Sequence, residues 1–203
     1  MKKIIILCAI LLACSHLFSQ GSGIRGGVRA GATTSQISGD DLSGFHKLGA
    51  YAGVFANIPF PNERWKFQME LNFIMKGSSR FVKASDDPNA VQKYVLNLFY
   101  IELPLLIKYN AFRNFDIELG PTINFLMGSR EVDLGGQIMG RPPFRFFEFC
   151  ILGGVSYSFN EHWSINLRYT NSIIPVRIPD WAYYRSVKKQ FNSAFALSGV
   201  FQF

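Results

Sequence analysis

Histidine is the usual general base and metal ligand, and this chain holds only three. The first, His16, lies in a leader-like N-terminus. His46 ends a polar stretch and His162 sits in the short segment Asn160-Glu161-His162. The strand pattern described below places those two at opposite ends of the molecule, so they cannot share a metal or a triad. His46 beside Asp40 or Asp41 would be a minimal hydrolase pair, but a solvated loop is the simpler reading. The acidic pairs Asp40-Asp41 and Asp86-Asp87 lack the ligand spacing of a calcium loop. Gly21-Ser22-Gly23-Ile24-Arg25-Gly26 fits G-x-G-x-x-G but has no strand before it and no helix after it, which dinucleotide binding requires. Arg177, Arg185, Lys188 and Lys189 make one segment basic, with Trp181, Tyr183 and Tyr184 beside them. That segment could meet lipopolysaccharide phosphates, though such runs are usually solvated surface. No catalytic, cofactor-binding or metal-ligating residue is assigned.

The remaining charges stand singly between apolar residues, at period two. Trp65, Phe67, Met69, Leu71 and Phe73 alternate with Lys66, Gln68, Glu70 and Asn72. Phe99 to Tyr109 alternates around Glu102 and Lys108, Phe115 to Phe125 around Asp116 and Glu118, and Phe147 to Phe159 around Glu148 and Cys150. Trp163 to Tyr169 encloses Asn166 and Arg168. The last strand sets Phe195, Leu197, Phe201 and Phe203 against Ser198 and Gln202. A strand from Ile24 carries Arg25 and Arg29 on one face, and a weaker one runs from Leu48 to Ile58. Side chains alternate across a strand, so each segment has one greasy and one polar face. The result is eight strands of about ten residues, enough to cross a bilayer when tilted. Pro104 and Pro121 fall within two of them and are expected at bulges or irregularities.

The connections alternate too. Residues 33–46, 77–93, 128–143 and 171–190 are long and polar; 59–64, 110–114 and 160–162 are short. Long loops on one side and tight turns on the other mark an outer-membrane barrel. A soluble lipocalin-like barrel would alternate as well, with polar faces outward and a hydrophobic ligand inside. Loop asymmetry, a leader, a terminal Phe203 on an alternating strand, and clustered aromatics break the tie. Trp65, Tyr109, Phe115, Phe159, Trp163 and Phe203 lie at the short-turn ends and form an expected periplasmic girdle. The fold expected is all-β: an eight-stranded antiparallel up-and-down transmembrane barrel. Arg25, Arg29, Glu70, Glu102, Lys108, Glu118, Glu148 and Arg168 then line the interior, with Lys66, Gln68, Asp116 and Asn166. Eight strands enclose a space that side chains fill, so acids and bases should pair there. A packed plug is expected rather than an open pore, with a narrow charged channel as the alternative.

Composition agrees. The 203 residues are 48% hydrophobic and 17% charged, with 20 Phe and 18 Gly. The net charge of +7 falls by two if Lys2 and Lys3 leave with a leader, which excludes the dense basic patch of a nucleic-acid binder. Lys2-Lys3 followed by the apolar residues 4–13 reads as a signal peptide over 1–19, with the barrel over 20–203. Processing at Cys14 to a lipoprotein is the rival reading. Removal of 1–19 takes Cys8 and Cys14 with it and leaves Cys150 as the lone cysteine, expected to pack within a strand.

Several stretches resemble the PorT-like outer-membrane barrel proteins of Bacteroidetes-type bacteria. They are Gly26-Gly27-Val28-Arg29-Ala30-Gly31, Met69-Glu70-Leu71 with Met75-Lys76-Gly77, Glu118-Leu119-Gly120-Pro121, and above all Tyr100-Ile101-Glu102-Leu103-Pro104-Leu105-Leu106-Ile107-Lys108. The resemblance implies an eight-stranded outer-membrane barrel, and Pro104 and Pro121 as family features. Its naming member is associated with type IX secretion and gliding, and the family brings no catalytic residue. The expected function is a non-enzymatic scaffold or surface-interaction barrel, with an accessory role in envelope secretion as the alternative and an outer-membrane enzyme further behind. Expected partners are outer-membrane lipid, the barrel-assembly machinery and, through the resemblance, envelope secretion proteins.

Overall fold

A computed structural model describes residues 23–38, 45–62, 64–83, 91–133, 136–137, 143–177 and 189–203. The leader over 1–19, Cys14, the two acidic pairs and most of the basic segment at 178–188 lie outside the described residues. The strands are β1 (Arg25–Ser38), β2 (Lys47–Pro59), β3 (Trp65–Lys83), β4 (Val91–Phe112), β5 (Phe115–Asp133), β6 (Gly136–Gln137), β7 (Phe147–Ser158), β8 (Trp163–Ser172) and β9 (Phe191–Gln202). β6 is a two-residue strand folded back on the end of β5. The other eight pair antiparallel with their neighbours, and β1 pairs with β9 from Gly27↔Gln202 to Ser38↔Phe191. The ring is closed, so no open edge remains to be satisfied in lipid.

Alternation decides which face is which. Odd residues of β3 such as Met69 and Leu71 are about half exposed, while Gln68, Glu70 and Asn72 between them are buried. The same inversion holds around the ring: Leu119, Ile151, Leu167 and Leu197 face out, and Glu118, Leu152, Arg168 and Ser198 face in. An apolar belt outside and a polar filling inside belong to a barrel whose solvent is hydrocarbon.

One expectation needs correction. The long connections 33–46, 77–93 and 128–143 are partly strand, because pairing continues past the apolar belt: β3 and β4 stay in register up to Lys83↔Val91. Above the belt the outward residues turn polar, as Asn97 and Arg130 do, so hydrophobic alternation no longer reports the strand. β4, 22 residues long, spans about 53 Å of barrel axis at ~3.4 Å per residue and a ~45° tilt, roughly twice the ~25 Å belt.

Neither proline shifts the register. Each instead interrupts a ladder, the irregularity expected of a residue without an N–H: β3–β4 pairing skips Glu70 and Leu71 opposite Pro104 and Leu103, and β4–β5 pairing skips Leu105 and Leu106 opposite Pro121 and Gly120. The bulges lie elsewhere, at Phe99/Tyr100 and at the Asn110/Phe112 turn. At the first, Met127 is the extra residue between partners Leu126 and Gly128. A bulge reverses facing beyond it, which is why Glu131, an odd-numbered residue, points inward and is buried.

Asparagines tie the tight turns. Asn160 Oδ1 accepts the amides of His162 at 2.9 Å and Trp163 at 2.7 Å, and Asn62 Oδ1 accepts that of Trp65 at 3.3 Å. These are local side-chain bonds that favour turn over strand.

Candidate functional site

The lumen holds the polar residues, and its centre is Arg168. On β8, this guanidinium donates Nη1 to Glu70 Oε2 and Nη2 to Glu70 Oε1, both at 2.7 Å. It also donates Nε to Glu118 Oε1 at 2.6 Å and Nη1 to the Tyr51 hydroxyl at 2.9 Å. Arg29 on β1 reaches Glu70 Oε1 at 3.0 Å and Asn166 Oδ1 at 3.2 Å. Gln68 donates to the same Glu70 oxygen. Lys108 stands 3.5 Å from Glu118. Two carboxylates thus share three cations, and the forked Arg168 bonds are the charge-assisted, bidentate kind.

A second cluster lies toward the long-loop end. Lys76 Nζ bonds Glu148 Oε2 at 3.0 Å, Asn124 Nδ2 donates to the same oxygen at 2.7 Å, and both approach the Cys150 sulfur. Lys76 also lies 5.5 Å from the Tyr100 ring centroid. Around and above it the lumen becomes apolar: Ile37, Ile74, Leu96, Leu98, Tyr100, Phe144 and Val176 pack together. Phe144 and Val176 are not in strands. Their segments tuck into the mouth, held by Arg145 N to Val176 O and Val176 N to Gln190 O, each 2.8 Å. Arg177 covers Phe144, its guanidinium 3.9 Å from the ring centroid, and bonds Glu131 at 3.2 Å.

The interior set from the sequence is placed as follows. Arg29, Glu70, Glu102, Lys108, Glu118, Glu148 and Arg168 are all buried. Arg25 is not: it is exposed on the rim of the short-turn mouth, although its cross-strand partner Asn57 is buried. Glu102 is buried yet joins no ion pair among the described residues. It stands in register between Asn72 and Asn124, takes only a 3.5 Å contact from Asn72 Nδ2, and its Oε1 has no partner. Glu148 holds Lys76, while Glu70 and Glu118 hold Arg168, so the expected universal pairing stops at Glu102.

Tyr51, Lys76, Asn72 and Asn124 are not in the interior set expected from the sequence, although Asn72 and Asn124 fall on its polar faces. Lys76 continues the even, inward parity of Gln68, Glu70 and Asn72, so that signal was present. Nothing local marks Phe144, Val176 or the Glu131–Arg177 pair, which depend on loop return and on the bulge.

The six aromatics at the short-turn end each meet another ring. Trp65 lies 4.6 Å from Tyr109, Phe115 6.5 Å from Phe112, Phe159 5.4 Å from Tyr157, Trp163 4.9 Å from Phe201, and Phe203 5.7 Å from Phe201. A second set lies at the other edge of the belt: Phe73 with Phe99, Phe125 with Phe146 and Phe147, and Tyr169 with Phe195. Tyr109 and Phe99 are ten residues apart on β4, about 24 Å along the axis with the same rise and tilt, matching the ~25 Å belt of such proteins.

A closed antiparallel barrel with polar filling and an aromatic-edged apolar exterior is an outer-membrane β-barrel. The chain belongs to the family described as outer membrane protein beta-barrel domain, whose profile matches residues 18–177. That match supports the barrel and the outer membrane, and not the narrower PorT-like assignment. Among solved structures, the chain resembles neisserial surface protein A (TM-score 0.55, 16% identity, covering 90% of this chain and 98% of that one). It also resembles Ail, the attachment invasion locus protein of Yersinia pestis (TM-score 0.50, 12% identity, 90% and 100%). At these identities the likeness is one of fold. A search among curated proteins finds no match.

Proposed function

We propose that this chain is a non-enzymatic surface barrel: a sealed membrane anchor that carries its β3–β4–β5 sheet outside the membrane as an interaction surface. The observation behind the reading is the unequal length of the strands. β3, β4 and β5 run 19, 22 and 19 residues, whereas β7 and β8 run 12 and 10. The outward faces of the long strands turn polar where the belt ends. The lumen beneath is filled by ion pairs and capped by Phe144 and Val176, which favours presentation over passage. Export by a cleaved leader over 1–19 belongs to the same reading and is supported by Lys2, Lys3 and the apolar run behind them.

The test shortens the β3–β4 hairpin to the level of Met75 and Phe99. Attachment of cells to a panel of surface polymers, sulfated polysaccharide included, is then measured. Loss of attachment, with a barrel that still shifts in gel mobility between unheated and boiled samples, supports presentation. Unchanged attachment overturns it. Resolved conductance steps from the intact protein in planar bilayers would overturn the sealed anchor.

A further inference from the structure

The charged lumen is tightly paired around Arg168 and only loosely paired at its inner mouth. A recess of about 440 Å³ opens at the short-turn end. Four cations line it, Arg25, Lys66, Lys108 and Arg113, against two carboxylates, Asp116 and Glu161. Lys66 and Lys108 are direct cross-strand partners whose side chains share the inner face. Like charges placed so repel.

Compensation within the protein is loose. Lys66 Nζ is 3.5 Å from Asp116 Oδ2, and Lys108 Nζ is 3.5 Å from both Glu118 Oε2 and the Ser156 hydroxyl. Those acids have closer partners: Asn110 bonds Asp116 at 2.6 Å, and Arg168 holds Glu118 at 2.6 and 3.1 Å. The walls are pre-formed, since the turn at 113–114 is pinned by Asn114 Nδ2 to Ser158 O at 2.8 Å and the turn at 160–162 by the Asn160 bonds.

We propose that this recess binds a small water-soluble oxyanion bearing more than one phosphate or carboxylate group, admitted from the short-turn side. Lys66 and Lys108 are its central ligands, and Arg113 and Arg25 close on it from the rim. The volume falls within the ~300–1,000 Å³ of small-molecule sites. The recess lies inside the ring of strands, so the barrel wall separates it from the headgroups of surrounding lipid. This inference stands apart from the surface-presentation reading and survives its failure.

The probe is inorganic pyrophosphate, titrated calorimetrically into the refolded full chain in non-ionic micelles at low salt, where screening is weakest. Saturable one-to-one binding is expected. Lys66→Gln and Arg113→Gln should each weaken it about tenfold or more, the loss of one charge-assisted contact. Lys66 is a third exposed and Arg113 fully on the rim, so both variants should fold, as unheated gel mobility verifies. Arg130→Gln, exposed at the far end of β5, should leave affinity unchanged. Absence of binding at millimolar pyrophosphate overturns the site. So does an equal loss with Arg130→Gln, which would reduce the effect to diffuse attraction.

Discussion

Arg168 and Glu118 meet across a residue that has no side chain. They stand on β8 and β5, with β7 between them, and Gly154 is the registered partner of both. A Cβ there would lie 2.7 Å from Glu118 Oε1, 2.9 Å from the Leu167 carbonyl and 3.0 Å from Arg168 Cγ. Gly154 is therefore the gap through which the central ion pair forms. Gly154→Ala should lower stability by ~1–3 kcal/mol, the usual cost of overpacking. A urea midpoint in micelles equal to that of the parent would show that the pair does not depend on the gap.

Removing the hub should cost more than removing the whole network. Arg168→Met leaves Glu70 and Glu118, buried to within a few per cent, short of their main cation. A loss of ~3–5 kcal/mol is expected, as for breaking any buried pair from one side. Replacing Glu70 and Glu118 by Gln and their remaining cations Arg29 and Lys108 by Met as well should recover much of it, because no stranded charge of the network remains. If that fivefold variant unfolds more easily than Arg168→Met alone, the ion pairs themselves hold the barrel.

Depth in the membrane gives a third test. Leu119 is 60% exposed near the middle of the belt, and Phe112 is 74% exposed at the turn. Leu119→Arg should cost ~2–4 kcal/mol and Phe112→Arg ~0–1 on folding into vesicles. Equal penalties would contradict an outward face in lipid.

Cys150 supplies an internal reporter. It is buried and free, packed against Lys76 and Asn124. The peptide bearing Cys150 should escape N-ethylmaleimide in the folded protein and react in urea, read by mass spectrometry. Ready labelling of folded protein would mean the lumen admits solutes. Phe144→Ala with Val176→Ala should raise the labelling rate, since those two side chains cap the outer mouth.

The ring of strands and the identity of its inner face were legible because period two survives wherever one side meets hydrocarbon. Glu70, Glu118 and Arg168 could be picked out as inward residues on parity alone, but their convergence could not. That depends on the closure of β1 on β9, on strand stagger, and on the absent side chain of Gly154. The strand ends were illegible for a related reason. Above Phe99 both faces of β4 leave the membrane, and polar outward residues such as Asn97 no longer differ from those of a loop. The Met127 bulge then reverses facing without any proline or glycine at the inserted position. Tyr109 and Phe99 show the opposite case, since rings at the edges of the belt marked its height in plain sequence.

Arg168 grips Glu70 on β3 and Glu118 on β5, while Arg29 on β1 takes hold of Glu70 from another side. These contacts act as spokes across a wheel. An empty eight-stranded hoop can flatten into an oval when lateral pressure in the bilayer changes, by shearing its ladders. With spokes of fixed length joining distant points on the rim, flattening must stretch charge-assisted bonds that are already short. The cross-section is thereby kept round, and the long outer strands inherit a rigid footing.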